Sequence, residues 1–132
     1  MSNKVVLDSS AVMAVLQKEP GSERVVSQLG GAVISAVNFA EVLIKLSRTG
    51  GNLNLILPDI HHLINEIRPF DDEQALLVGS LEPQTRAKGL SLGDRACLAL
   101  GKCLKVPVLT ADRNWTRLDI GVQVELIRES AS

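Results

Sequence analysis

The sequence of 132 residues is poor in aromatic side chains, with two Phe, one Trp and no Tyr, 2% in all. Its core must therefore be built from Leu, Val, Ile and Ala. Cysteine is scarce too: Cys97 and Cys103 stand six apart in what reads as one helix. They are too few and too far from any His for a structural zinc site, and read as small buried residues. No basic excess is present, since 14 Lys and Arg face 15 Asp and Glu for a net charge of -1. That argues against a protein that coats nucleic acid by bulk charge, but not against an enzyme acting on it. No apolar run approaches the roughly 18 residues needed to span a bilayer. The chain opens Met1-Ser2-Asn3-Lys4 and passes at once into an apolar strand, without the charged and apolar regions of a secretory signal. A cytoplasmic protein without membrane association is the expectation.

Hydrophobic residues at 45% and charged residues at 22% are ordinary values for a globular chain, and the length suits one domain over 1-132 with its core at about 4-127. Strand patterns fall at Lys4 to Leu7, Ala32 to Ser35, Arg68 to Phe70, Val106 to Thr110 and Val122 to Ile127. Between them lie helical patterns: Ala11 to Gln17, with Ser9 or Ser10 as cap, Ser22 to Leu29, and Ala36 to the Gly50-Gly51 pair. A further helix runs from Leu53 to Ile67, kinked or restarted at Pro58. Another begins in the acidic turn Asp71-Asp72-Glu73 and weakens at Gly79 and Pro83, and the last spans Ser91 to Leu104. Strands alternating with helices predict an α/β fold, a five-stranded parallel sheet with helices on both faces.

In such sheets ligands bind beyond the carboxyl ends of the strands. Asp8 ends the first strand, Glu41 lies in the second turn of the helix after strand two, Asp94 opens the helix before strand four, and Asp112 follows strand four. Each has a plainer reading. Asp8 and Asp112 suit helix caps, and Ser91-x-x-Asp94 has the form of a capping box. Glu41 sits among Val37, Phe39, Ala40, Val42 and Leu43, with Lys45 at i+4. Together the four acids suggest one site, whose mutual repulsion a hard divalent cation relieves. With no His or Cys beside any of them, Mg²⁺ or Mn²⁺ is preferred over zinc, and such a site serves phosphodiester hydrolysis.

The four motifs Val5-Val-Leu-Asp8-Ser-Ser-Ala11, Ser35-Ala-Val-Asn-Phe-Ala-Glu41, Leu90-Ser-Leu-Gly-Asp94-Arg-Ala96 and Leu109-Thr-Ala-Asp112-Arg-Asn-Trp115 resemble those of the PIN domain family, most closely its VapC-type toxins of bacterial toxin–antitoxin pairs. The resemblance runs from Lys4 to about Ile127. It implies a Mg²⁺- or Mn²⁺-dependent endoribonuclease with Asp8, Glu41, Asp94 and Asp112 as its acidic quartet, neutralised by a small antitoxin and assembled as a homodimer. Thr110 matches the family's hydroxyl beside the last acid and would orient a carboxylate or bound water, and Ser9 is given the same role. Asn114 stands where many relatives carry another acid.

Arg95 and Arg113 lie beside the motifs as candidate contacts to RNA phosphates, tRNA or rRNA being the expected substrate, with Lys45 a third candidate. Solvated or acid-paired arginines are the plain alternative. Trp115 reads as packing against the end of the sheet, and His61-His62 as surface residues. Val12, Val15 and Leu16, or the helix after Asn52, offer an apolar face to an antitoxin segment unless they are core. A PIN-fold housekeeping nuclease and a non-catalytic binding module are the alternatives. A phosphatase with an aspartyl nucleophile wants a second acid where Ser10 stands. A phospho-accepting signalling domain lacks its acidic pair before the end of strand one and its Lys after the last strand.

Overall fold

A computed structural model describes residues 3–128. The strand Val5–Leu7 (β1) is buried throughout and sits at the middle of the sheet. It is flanked by Ala32–Ser35 (β2) on one side and Val108–Thr110 (β4) on the other, and Glu66–Arg68 (β3) and Val124–Leu126 (β5) complete the order β3-β2-β1-β4-β5. All four pairings are parallel, as the sequence pattern predicts. The chain builds outward from β1 through β2 to β3 and then returns to build the other half. The order therefore reverses between β1 and β4, the position at which open parallel sheets form a ligand-binding crevice beyond the carboxyl ends of the strands.

Period-two alternation divides the strands between two cores. Val5, Leu7, Ala32, Ile34 and Leu109 face one cluster, while Val6, Val33 and Val108 face the other. The first is closed by Ser9–Leu16 (α1), Ser22–Val26 (α2), Ala36–Arg48 (α3) and Leu53–Leu63 (α4), through residues such as Val12, Val25, Val42 and Ile60. The second is closed by Asp72–Thr85 (α5) and Leu92–Leu104 (α6) through Leu81, Leu98 and Leu100, with Trp115 beside them. Six α-helices on two faces of a parallel sheet thus stand among the described residues. None is long and apolar enough to cross a membrane.

Boundaries differ from expectation where local signals compete with pairing. The third strand is Glu66–Arg68 rather than 68–70, and α4 stops at Leu63, because Asn65 already donates its N–H to Ala32 at 2.9 Å. Pro69 then cannot donate to a ladder. The helix α5 runs through Gly79 and Pro83 to Thr85, since Leu81 and Thr85 are buried. The second helix is shorter than expected, ending at Val26 before a 3₁₀ turn at Leu29–Gly31. In β4, Pro107 lies just outside the strand, yet its carbonyl accepts from Val6 at 2.9 Å.

Gly21, ahead of α2, has φ 93°, and a Cβ there would collide with the carbonyl of Ile127, just after β5. Neither backbone can give way cheaply, so Gly21→Ala should destabilise the fold by about 2–3 kcal/mol. Urea unfolding would measure this, and a loss under roughly 0.5 kcal/mol would mean that the junction yields.

Candidate active site

The crevice is built first by Asp8. β1 delivers it, buried, to the N-cap of α1, where its Oδ1 accepts from the Ala11 N–H at 2.9 Å and the Ser10 hydroxyl at 2.7 Å. From the neighbouring strand, the Thr110 hydroxyl donates to Asp8 Oδ2 at 2.7 Å. Ser10 accepts in turn from the Ala111 N–H at 2.9 Å, and Thr110 from the Asp112 N–H at 3.0 Å. The ends of β1 and β4 are thus laced through two hydroxyls. Burial nonetheless pushes the Asp8 carboxyl up to about 6 against the lowering effect of these three donors, and the charge of Asp94 adds to the rise.

The helices supply the other acids. Ser35 caps α3 by accepting from Val37 at 3.2 Å, and one turn later Asn38 is buried. Its Nδ2 donates to Glu41 Oε1 at 2.9 Å and to the Gly93 carbonyl at 2.9 Å, so one amide ties α3 to α6. With two acceptors against the Nδ2 end, the orientation of the amide is settled, and Oδ1 faces away without a partner. Gly93 has no side chain because the Glu41 carboxylate occupies that space: a Cβ there would overlap all three of its atoms. Asp94 follows at once. It completes the capping box, its Oδ2 accepting from the Ser91 N–H at 2.9 Å while Ser91 Oγ accepts from the Asp94 N–H at 3.1 Å. Structural and chemical roles are compatible here, because Oδ1 is left over.

Cys97 lies one turn beyond Asp94 and is wholly buried. Its thiol is raised well above its usual value, by burial first and then by the charges of Asp8, Asp94 and Glu41. The charges of three carboxylates, carried at the end of β1, on α3 and on α6, thus bear on one thiol. Asp112 follows β4; its N–H donates to Thr110, and its Oδ1 accepts from Asn114 N–H at 2.9 Å and caps the 3₁₀ turn Arg113–Trp115.

The Glu41 carboxylate thus packs against Gly93, next to Asp94 in the chain, and the charge of Asp94 reaches Asp8. Among the described residues no three His, Cys, Asp or Glu side chains already stand as a metal-gripping group. The donor set nonetheless fits a hard cation. Asp8 Oδ2 has one protein donor, and Glu41 Oε2 and Asp94 Oδ1 have none among the described residues. All are oxygens, and Cys97, held as a thiol, is no competing ligand.

Ser9 does not share the place of Thr110. As the first residue of α1 it points to α3, where its Oγ meets Lys45 Nζ at 3.5 Å, and Ser10 holds Asp8 instead. Arg95 is engaged with α5, donating from Nε to Thr85 Oγ1 at 2.8 Å. Arg113 lines a cleft of about 400 Å³ with Lys88 and Arg117. Trp115 is buried, packed as its motif suggests, and His61 and His62 are exposed. Ser10, Asn38, Gly93 and Cys97 escape the motif reading. A polar residue three before Glu41 in an otherwise apolar start to the helix, Ala36 to Ala40, was the signal available for Asn38.

A family model described as PIN domain matches residues 5–121. The chain belongs to the PIN domain family. Its fold is similar to a chain of the DNA-bound VapBC from Salmonella typhimurium, at 20% identity and TM-score 0.75 over 97% of this chain and 100% of that one. VapBC2 from Rickettsia felis, bound to a fragment of its promoter, gives 16% identity and 0.75 over 92% and 97%. VapBC-5 from Mycobacterium tuberculosis, a member of the VapBC family of toxin–antitoxin systems, gives 22% and 0.61 over 96% and 99%. No curated protein matches the sequence. PIN domains are nucleases, so membership supports a hydrolase.

A folded-state Asp8 carboxyl at about 6, against 3.8 when unfolded, stabilises the metal-free fold most below the lower value. That contribution, about 3 kcal/mol in full, disappears as pH rises through about 6. Relative to Asp8→Asn, metal-free protein should lose about 1.4 kcal/mol between roughly pH 5 and pH 7.5 in chemical unfolding, and a flat difference would refute the burial effect. Separately, Gly93→Ala should push the Glu41 carboxylate aside, weakening Mn²⁺ binding by calorimetry at least ~10-fold while changing stability by under about 1 kcal/mol. Unchanged affinity would remove Glu41 from the ion's ligands.

Proposed function

We propose that this PIN domain is a Mg²⁺- or Mn²⁺-dependent endoribonuclease, the toxin of a type II toxin–antitoxin pair, acting in the cytoplasm as a homodimer on tRNA or rRNA. The observation that carries the reading is the buried, laced carboxylate of Asp8 beside Glu41 and Asp94 at the reversal of the sheet. A structural carboxylate in that position would be paired with a cation or replaced by a neutral cap. Asp8 has neither, and its hydroxyl and amide donors leave it short of compensation for burial. The likeness to VapBC chains supports the toxin part of the proposal.

Asp8, Glu41 and Asp94 would hold the cation, with Asp112 at the rim. A bound divalent ion would supply Lewis acidity toward a phosphodiester and a water of lowered pKa. The chain's own contribution is orientation. Thr110 and Ser10 fix the plane of the Asp8 carboxylate, and Asn38 fixes Glu41 against α6. Protons and cation compete for Asp8, so binding weakens as pH falls through about 6.

The proposed antitoxin has a place to sit. Val15 and Leu16 of α1, with Leu29 and with Leu63 of α4, line an apolar cleft of about 260 Å³, edged by Asp59 and His62. It suits the apolar face of a short helix. Val12, by contrast, is fully buried and belongs to the core.

Purified, partner-free protein incubated with mixed tRNA and rRNA should give discrete fragments with Mn²⁺ or Mg²⁺. It should give none with EDTA, and Asp8→Asn should be at least ~10²-fold slower. Folded protein that cuts nothing with either metal would overturn the nuclease and favour the binding module.

A further inference from the structure

Along one face of α3, Glu41 is followed at i+4 and i+7 by Lys45 and Arg48. Both cations are exposed and line a cleft of about 370 Å³ between α1 and α3, whose wall includes Ser10, Met13, Gln17 and Glu19. Four arginines elsewhere in the fold are paired with acids: Arg24 meets Glu125, Arg68 meets Glu66, Arg86 meets Glu82 and Arg128 meets Glu19. Lys45 and Arg48 have no acidic partner among the described residues; Lys45 meets only the Ser9 hydroxyl, at 3.5 Å. The acid on the cleft wall, Glu19, is engaged by Arg128 at 3.2 Å and does not neutralise them.

Ser10 joins the two places. Its hydroxyl donates to Asp8 at 2.7 Å, and it also lines the basic cleft. Residues three apart on a helix stand about 5–6 Å apart at Cβ, on the scale of neighbouring phosphates in a nucleic-acid strand. We infer that the α1–α3 cleft is a phosphate subsite, in which Lys45 and Arg48 hold the backbone of an RNA strand next to the phosphodiester lying at Asp8, Glu41 and Asp94.

The inference rests on the ribonuclease reading and adds the path by which substrate leaves the acids. The competing basic cleft at Lys88, Arg113 and Arg117 is lined by none of the residues that hold Asp8, Glu41 or Asp94. An acidic protein segment would also be attracted by two cations. RNA is favoured because the cleft is continuous, through Ser10, with the carboxylate that the hydrolysis needs. Backbone contacts of this kind position a strand without reading its sequence.

The test measures binding apart from cleavage. In an Asp8→Asn background, Lys45→Glu/Arg48→Glu should weaken binding of single-stranded RNA oligonucleotides of several sequences uniformly, by at least ~10-fold in fluorescence anisotropy. It should also lower the slope of log affinity against log salt by about 1.4, since each phosphate that is no longer neutralised accounts for roughly 0.7. With Asp8 restored, KM should rise by a similar factor while kcat stays within about threefold. Arg117→Glu should change either quantity less than twofold, and unfolding midpoints should confirm that each variant folds. RNA bound and cut equally well by the Lys45→Glu/Arg48→Glu protein would overturn the subsite while leaving the nuclease intact, and would leave the cleft to an acidic protein segment. Failure of the unaltered protein to bind or cut RNA would overturn both.

Discussion

The structure depends on where a single carboxylate is buried. β1 is buried throughout and hydrogen-bonded to a strand on each side, so whatever follows Leu7 is delivered into a region with little water. A charge there needs donors, and the fold provides them from α1 and from β4, two segments that meet only because the order of strands reverses at β1. Were β4 paired elsewhere in the sheet, Asp8 would lose Thr110 and its burial would be poorly compensated. The topology of the sheet and the chemistry of the site are one constraint seen from two sides.

The second and third acids depend on a contact between helices. Asn38 gives one proton to the Glu41 carboxylate and the other to the Gly93 backbone, and Gly93 leaves its side-chain space to that same carboxylate. Asp94 is thereby set beside Glu41 although the two are 53 positions apart, from 41 to 94. Gathering like charges raises the free energy of the metal-free protein, and the fold accommodates it with neutral donors rather than with cations. Arginine near the site is directed elsewhere, as Arg95 is toward Thr85. Among the described residues no Lys or Arg enters the hydrogen bonds of Asp8, Glu41 or Asp94.

Much of this was readable from residues alone. Alternating strands and helices indicate the parallel sheet, and the position of each acid relative to a strand end indicates which edge it occupies. Contacts set by close approach were less readable. Nothing in Gly93 as a letter distinguishes a glycine that makes room for a carboxylate from one that ends a turn. Ser9 and Ser10 look alike until the helix start is placed, at which point the second faces Asp8 and the first faces Lys45. Strand three was displaced because Arg68-Pro69-Phe70 has the apolar content while Glu66-Ile67 has the available N–H groups. The continuation of α5 past Pro83 is a case of tertiary burial, at Leu81 and Thr85, overriding a local breaker.

The bond between Thr110 and Asp8 spans 102 positions of the chain, and Asp94 also comes late. During synthesis, the first strand leaves the ribosome long before either partner exists, and the parallel neighbour that orients Asp8 follows it by 102 positions. A nascent chain therefore carries Asp8 without the groups that orient it, and non-local closure must wait for them. The acids therefore cannot act together on the nascent chain until α6 and β4 have emerged and β4 has paired with β1.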